Sequence, residues 1–308
     1  MNRRRFFARA SGWGVGIALQ RASAAAPRQP IQYYFDSRQL FRMGVSSSSF
    51  RNYFPATRNQ DFTLPGPTLS LLDFPRMVAE RYEIHHLEFD SAHFSSQEPE
   101  YLLELRRQLL RSGSYLLNVF LTLPELETEG GLSSTVPAIR ENAVATVREW
   151  MAVARRLDAR AVTPNPGLIN PADLTPTIKS YRLLSAYGWR LGVRVLMENS
   201  TSVTTSEILT VVRSVPGSIR ILPDFANFPA AEDREASLAE LFPQSFTLCH
   251  ADGVTFDRFG NETSFDFARC VEIAERSRFR GIYMIAYRGT GSPYVGVQNV
   301  INELIRDL

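Results

Sequence analysis

Lysine is nearly missing from this chain: Lys179 is the only one among 308 residues. It lies in a helix-like stretch and not at the end of a strand-like run, which argues against an enzyme working through a lysine Schiff base. Cysteine is scarce as well. Cys249 and Cys270 are too few for a disulfide framework and read as two packed thiols, a single 249–270 bridge in an oxidising compartment being the alternative. No Gly-x-Gly-x-x-Gly turn follows the first strand-like run, where the chain reads SSSSFRNYF, so a dinucleotide-binding sheet is disfavoured. No Gly-x-Ser-x-Gly elbow occurs. No apolar run is long enough to span a bilayer.

Charge of one sign is also lacking: 34 basic and 32 acidic residues leave +2. The excess sits at the front. Residues 1–24 hold Arg3, Arg4, Arg5, Arg9 and Arg21 and no acid, so their removal turns +2 into −3 and takes away any charge argument for nucleic-acid binding. Arg3-Arg4 before Phe6 and Phe7, a short, mildly apolar stretch at 10–19 and Ala22-Ser23-Ala24 stand in the order of a bacterial twin-arginine export signal, with Asn2 where Ser or Thr is more usual. The expectation is a cut after Ala24, export to the periplasm, an extension at 25–39 and one domain over 40–308.

In that domain, strand-like and helix-like runs alternate eight times. The strand-like runs are 41–46 (FRMGVS), 85–90 (HHLEFD), 115–121 (YLLNVFL), 159–164 (ARAVTP), 193–198 (VRVLME), 219–224 (IRILPD), 245–250 (SFTLCH) and 281–286 (GIYMIA). Helical patterns follow them at 72–81, 99–113, 136–158, 173–191, 204–214, 232–241, 264–278 and 295–308. Eight such units predict an α/β fold of the (β/α)₈ TIM-barrel type. Long connections at 51–71 and 122–136 fall on the face where such barrels do chemistry.

Three apolar runs end in Glu198, Asp224 and His250, and Asp252 follows two residues after His250. A polar residue ending a buried strand points into the barrel mouth. Two carboxylates and an imidazole meeting there suit a divalent metal such as Mn²⁺, Co²⁺, Zn²⁺ or Mg²⁺. The eighth run ends in Ala286, which has no donor atom. Arg288, two residues on, shares its face by strand alternation. Its permanent charge suits an anionic substrate group or a partial replacement for a missing cation.

In this order the strand ends resemble those of the xylose isomerase-like barrels, which include sugar-phosphate isomerases and epimerases. VLMENS resembles that family's strand-five Glu-Asn, LPDFAN its Asp-x-x-(Asn/His), and CHADG its His-x-Asp-Gly. GNETSFDF is similar to the Gly-x-x-Asp-Phe that opens its seventh helix, and Glu88 in HHLEF to its strand-two Glu. The resemblance covers about 40–308. It implies a metal held by Glu198, Asp224 and His250, with the last ligand Glu replaced by Ala286. It also implies that Glu198 moves the proton α to a carbonyl polarised by that metal. Glu88, His93, Asp252 and Arg288 are the candidate substrate contacts, with Asn165 and Asn199 beside them. Four histidines are too few for the trinuclear zinc site of the family's apurinic endonucleases.

Structural roles remain open for each residue: His250 bonded to Asp252, Asp224 capping the loop before helix six, Glu198 paired with Arg288, Glu88 paired with a barrel arginine. His85 and His86 suit the base or side of strand two. The implied function is an isomerase or epimerase acting on a small carbohydrate such as a sugar, keto-sugar or sugar phosphate. The alternatives are a metal-dependent lyase or hydrolase on a keto-glycoside, which needs one base, and a non-catalytic barrel that binds carbohydrate or a partner. Export is directly testable. Changing Arg3 and Arg4 together to Lys is expected to trap the precursor in the cytoplasm, because the pair is read by a receptor and not by hydrophobicity. Cell fractionation checks this, and equal periplasmic yield of both forms counts against a twin-arginine signal.

Overall fold

The computed structural model describes residues 37–308 except 64, 65, 216 and 218. The expected signal at 1–24 and most of the extension at 25–39 lie outside these residues. Among the described residues, eight parallel strands form one sheet: β1 (Met43–Ser46), β2 (His86–Asp90), β3 (Tyr115–Leu121), β4 (Ala161–Pro164), β5 (Arg194–Glu198), β6 (Ile219–Leu222), β7 (Leu248–Gly253) and β8 (Ile282–Tyr287). Each strand except β6 pairs with the next in sequence, and β1 pairs with β8. The sheet is therefore a nearly closed barrel, as the eightfold alternation predicts.

Eight helices connect and cover it: α1 (Phe74–Tyr82), α2 (Pro99–Arg111), α3 (Pro137–Arg156), α4 (Thr175–Leu191), α5 (Thr205–Ser214), α6 (Arg234–Leu241), α7 (Phe267–Arg276) and α8 (Pro293–Asp307). Their ends follow local chemistry. Thr204 and Glu207 form a reciprocal capping box on α5, and the Asp266 side chain accepts from Arg269 N at the start of α7. Gly192 stops α4 in the left-handed region at φ 74°. No helix among the described residues is long and apolar enough to cross a membrane. The thiols of Cys249 and Cys270 are both buried and free.

Strand alternation divides the core. Val162, Met197, Ile221, Cys249, Tyr283 and Ile285 belong to the large cluster that packs the sheet against the helices. Their neighbours Ala161, Leu196, Leu222, Leu248 and Met284 form a separate apolar cluster from alternate strand positions, a plug inside the barrel. Gly44 on β1 makes room for it: a Cβ there would sit 2.7 Å from Met284 Cε. Two residues farther along each of these strands stand Thr163, Glu198, Asp224, His250 and Ala286. The apolar plug is thus the floor beneath a polar mouth.

Closure is thinnest between β6 and β7. Pro223 follows β6 and has no N–H to donate. Among the described residues the two strands meet through isolated bridges, Ile221 with Ser245 and Asp224 with His250. His250 N donates to Pro223 O at 2.7 Å and Phe225 N to His250 O at 3.1 Å. The seam therefore places Asp224 opposite His250. Because Leu222 is fully buried in the plug, Leu222→Ala is expected to destabilise the barrel by about 2–5 kcal/mol. Urea unfolding measures this, and a loss well under that range would show that the plug refills easily.

Candidate functional site

At the C-terminal ends of the strands, His250 lies between two carboxylates. Its Nδ1 is 2.6 Å from Glu198 Oε1, and its Nε2 is 3.0 Å from both oxygens of Glu88. Burial alone would drive the proton off His250, but Glu88 and Glu198 outweigh it and hold the ring charged well above the usual imidazole range. The two glutamates then differ. Burial raises the Glu198 carboxyl, with the nearby Asp224 charge adding to it and His250 offsetting only part. Burial opposes ionisation of Glu88 too. There, the charge of His250 and hydrogen bonds from His250, Asn118 and Ser46 more than compensate, and the net shift is downward. Asn118 Nδ2 donates to Glu88 Oε2 at 2.6 Å, and Thr163 Oγ1 donates to Asn118 Oδ1 at 3.1 Å.

A second group sits beside this row. Arg288, just past β8, places Nη2 on Asp224 Oδ2 and Nε on Asp252 Oδ2. Both aspartate side chains are fully buried, whereas the arginine side chain is 41% exposed. Burial would lower the guanidinium pKa, but Asp224, Asp252 and Glu198 reverse this and raise it further. The backbone of Arg288 is fixed too. Its N–H donates to Gly253 O at 2.8 Å, and the Arg51 guanidinium donates to the carbonyls of Tyr287, Arg288 and Gly289 at 3.1–3.3 Å.

Above these groups opens a cavity of about 310 Å³, lined by Ser48, Glu88, Phe120, Glu198, His250 and Arg288 among others. That is the low end of the range for ligand sites and suits a small molecule. A larger cavity of about 610 Å³ lies at the other end of the barrel. Its wall includes Leu109, Leu110 and Leu116, and His86 there is bonded through Nδ1 to Met43 O at 3.3 Å. The smaller cavity is the candidate site because convergent ionisable groups face it from four strand ends.

Most of the residues expected from the sequence come together here, with different partners. Glu88 is not paired with an arginine but supports His250. Asp252 belongs to the Arg288 pair and does not line the cavity. Asp224 binds Arg288 through Oδ2 and also accepts from Ala226 N through Oδ1 at 2.7 Å, so the loop-capping role is real. Asn199 is buried and its amide binds the backbone of Asp224 and Asn227, which braces the β6 loop and leaves nothing for a sugar hydroxyl. Asn165 lines the cavity.

His93 lies outside the cavity. Its Nδ1 is 2.9 Å from Ser47 Oγ, its Nε2 is 3.0 Å from Thr57 Oγ1, and its ring stacks on Phe54 at 3.8 Å. It ties the β2 loop to the 47–53 turn and is a structural histidine. Asn118 and Phe120 were missed in the sequence. Their signal was present as the asparagine inside YLLNVFL, which alternation puts on the inner face with residue 120.

Glu198, Asp224 and His250 each bring a donor atom to within 4.8 Å of one another, so a candidate metal cluster of the expected composition exists. As placed, the cluster does not fit a resident ion. The Asp224 oxygen nearest His250, at 4.0 Å, already carries the Arg288 guanidinium, and the eighth strand contributes only the methyl of Ala286. An ion here would adjoin a fixed positive charge.

No protein-family model and no curated protein sequence matches this chain. Solved structures do. A xylose isomerase domain protein from Planctomyces limnophilus is 13% identical, with 85% of this chain and 94% of that chain covered at a TM-score of 0.63. A xylose isomerase-like TIM barrel protein from Mycobacterium smegmatis, solved in complex with magnesium, is 14% identical over 88% and 99% of the two chains, with a TM-score of 0.60. A D-psicose 3-epimerase with D-tagatose from Clostridium cellulolyticum is 15% identical over 87% and 96%, again at 0.60. The fold is that of the xylose isomerase-like TIM barrels.

The placement of His93 generates a pH prediction. Burial lowers its pKa from 6.5 to about 3. Between those values the unfolded chain binds the proton and the native chain does not, so stability falls as pH drops through this window. Asp90, raised to about 6 mainly by burial, acts in the opposite sense, so the comparison must be made between variants. Between pH 6.5 and 5, wild type is expected to lose stability faster than His93→Gln, by roughly 1 kcal/mol per pH unit. Urea titrations across that range decide it, and equal slopes would contradict a neutral buried His93.

Proposed function

We propose that this barrel moves a proton at the carbon next to the carbonyl of a small polyhydroxylated aldehyde or ketone, as a sugar isomerase or epimerase does. One observation carries this: His250 lies between Glu198 and Glu88 at the floor of the 310 Å³ cavity. Glu198, whose carboxyl is raised by burial while that of Glu88 is lowered by its hydrogen bonds and the charge of His250, and which is the more accessible of the two from the cavity, takes the α-proton. Glu88, held by Asn118, keeps His250 charged and oriented, and the imidazolium balances the enolate as it forms. Return of the proton from Glu198 to the neighbouring carbon of the enediolate, with the hydroxyl proton passing to the former carbonyl oxygen, gives the isomer; protonation of the original carbon on its opposite face, by a donor from that side such as water, gives the epimer.

Convergence of Glu198, Asp224 and His250 and the magnesium complex of a barrel with this fold speak for a metal-dependent form of the same function, and the Arg288 contact on Asp224 speaks against it. The ion would supply Lewis-acid polarisation of the carbonyl. The proton-transfer proposal is tested by incubating the protein with a panel of aldoses and ketoses in D₂O and following loss of the α-proton signal by NMR. Exchange is expected with at least one sugar. Glu198→Gln is expected to slow it by about 10²–10⁴-fold. Product formation with cleavage and no exchange would move the assignment to a lyase or hydrolase. Absence of both, with saturable sugar binding retained, would leave a carbohydrate-binding barrel.

A further inference from the structure

We infer that the Arg288 guanidinium stands where a barrel of this fold would hold a divalent ion, making this a site with a built-in cation. Asp224 and Asp252 are buried completely, and buried carboxylates need a positive partner. Arg288 is the only arginine or lysine paired with either of them among the described residues. It also contacts the one Asp224 oxygen that lies toward His250 Nδ1, which is the oxygen an ion shared by these two residues would use.

The surroundings agree with a permanent fixture. Ala286 and Arg288 occupy the same face at the end of β8, and the small side chain of Ala286 keeps a carboxylate away from the guanidinium. Arg51 grips three successive carbonyls around Arg288, and Gly253 O holds its N–H. A cation anchored in this way is charged at every working pH and needs no loading step. Its exposed edge borders the cavity that also contains Glu198 and His250. Building on the proton-transfer function proposed above, the substrate oxygen beside the transferred proton is bound by Arg288 as two hydrogen bonds from a planar fork, not as ligands of a metal.

Metal binding tests this without reference to activity. Full-length protein purified without chelator is analysed for metals, then titrated calorimetrically with Mn²⁺, Co²⁺, Zn²⁺ and Mg²⁺. Wild type is expected to carry no stoichiometric ion and to show no saturable binding. Arg288→Ala combined with Ala286→Glu removes the guanidinium and adds a donor, and is expected to show saturable binding of Mn²⁺ or Co²⁺ at concentrations where wild type shows none. A stoichiometric ion in wild type that survives dialysis overturns the inference. So does equal ion affinity in wild type and the double variant. If the variant fails to fold, the wild-type metal content still decides. The D₂O exchange, run with and without EDTA, separates the two proposals. Exchange that persists in EDTA supports both, exchange lost in EDTA overturns the built-in cation, and no exchange by a metal-free protein removes only the catalytic proposal.

Discussion

Two buried aspartates share one guanidinium, and the mouth of the barrel is organised around that pair of contacts. Arg288 leaves the end of β8, crosses β7 at Asp252 and reaches Asp224 beyond β6. It therefore spans the seam where the sheet has isolated bridges. Desolvating the aspartates carries a large penalty, and losing one partner of such a group costs on the order of 3–5 kcal/mol. The same contacts hold Asp224 against the loop after β6, with Ala226 N on its other oxygen. Closure of the barrel and geometry of the site are in this sense one problem.

The imidazole row depends on this arrangement. With Asp224 occupied by Arg288, His250 turns Nδ1 to Glu198 and Nε2 to Glu88. Asn118 and Thr163 extend the chain of hydrogen bonds across β3 and β4. A buried network of this kind is rigid when every member is satisfied. Rigidity matters for proton transfer, because a catalytic carboxylate works only within hydrogen-bond reach of the reacting atom. The rim adds to it. The loops after β3 and β4 approach so closely that a Cβ on Gly167 would lie 2.1 Å from Gly130 O. Glycine is required there to let the two backbones form one wall.

Much was legible in the sequence. Eight alternating runs specified the barrel because a strand buried on both faces must be almost wholly apolar, whereas a covering helix needs one apolar stripe. YLLNVFL matched β3 over its full length. The polar residues ending the fifth, sixth and seventh runs marked the mouth, since apolar residues fill the interior up to that level. Resemblance in the order of those ends agreed with the fold seen in the solved structures.

Partners were a different matter. Sequence determined which residue types stand at each strand end, and strand alternation determined which face they take. It did not determine which of four carboxylates Arg288 would meet, or that Glu88 would buttress His250 and His93 would turn away to Ser47 and Thr57. Those choices follow from the stagger of the strands around the barrel and from the reach of long side chains across it. Both are properties of the closed sheet and of no single strand. The sequence by itself determined the barrel and the inventory of its mouth; the tertiary structure decided which positive group holds which negative one, because electrostatic pairing is settled by distance and burial in three dimensions.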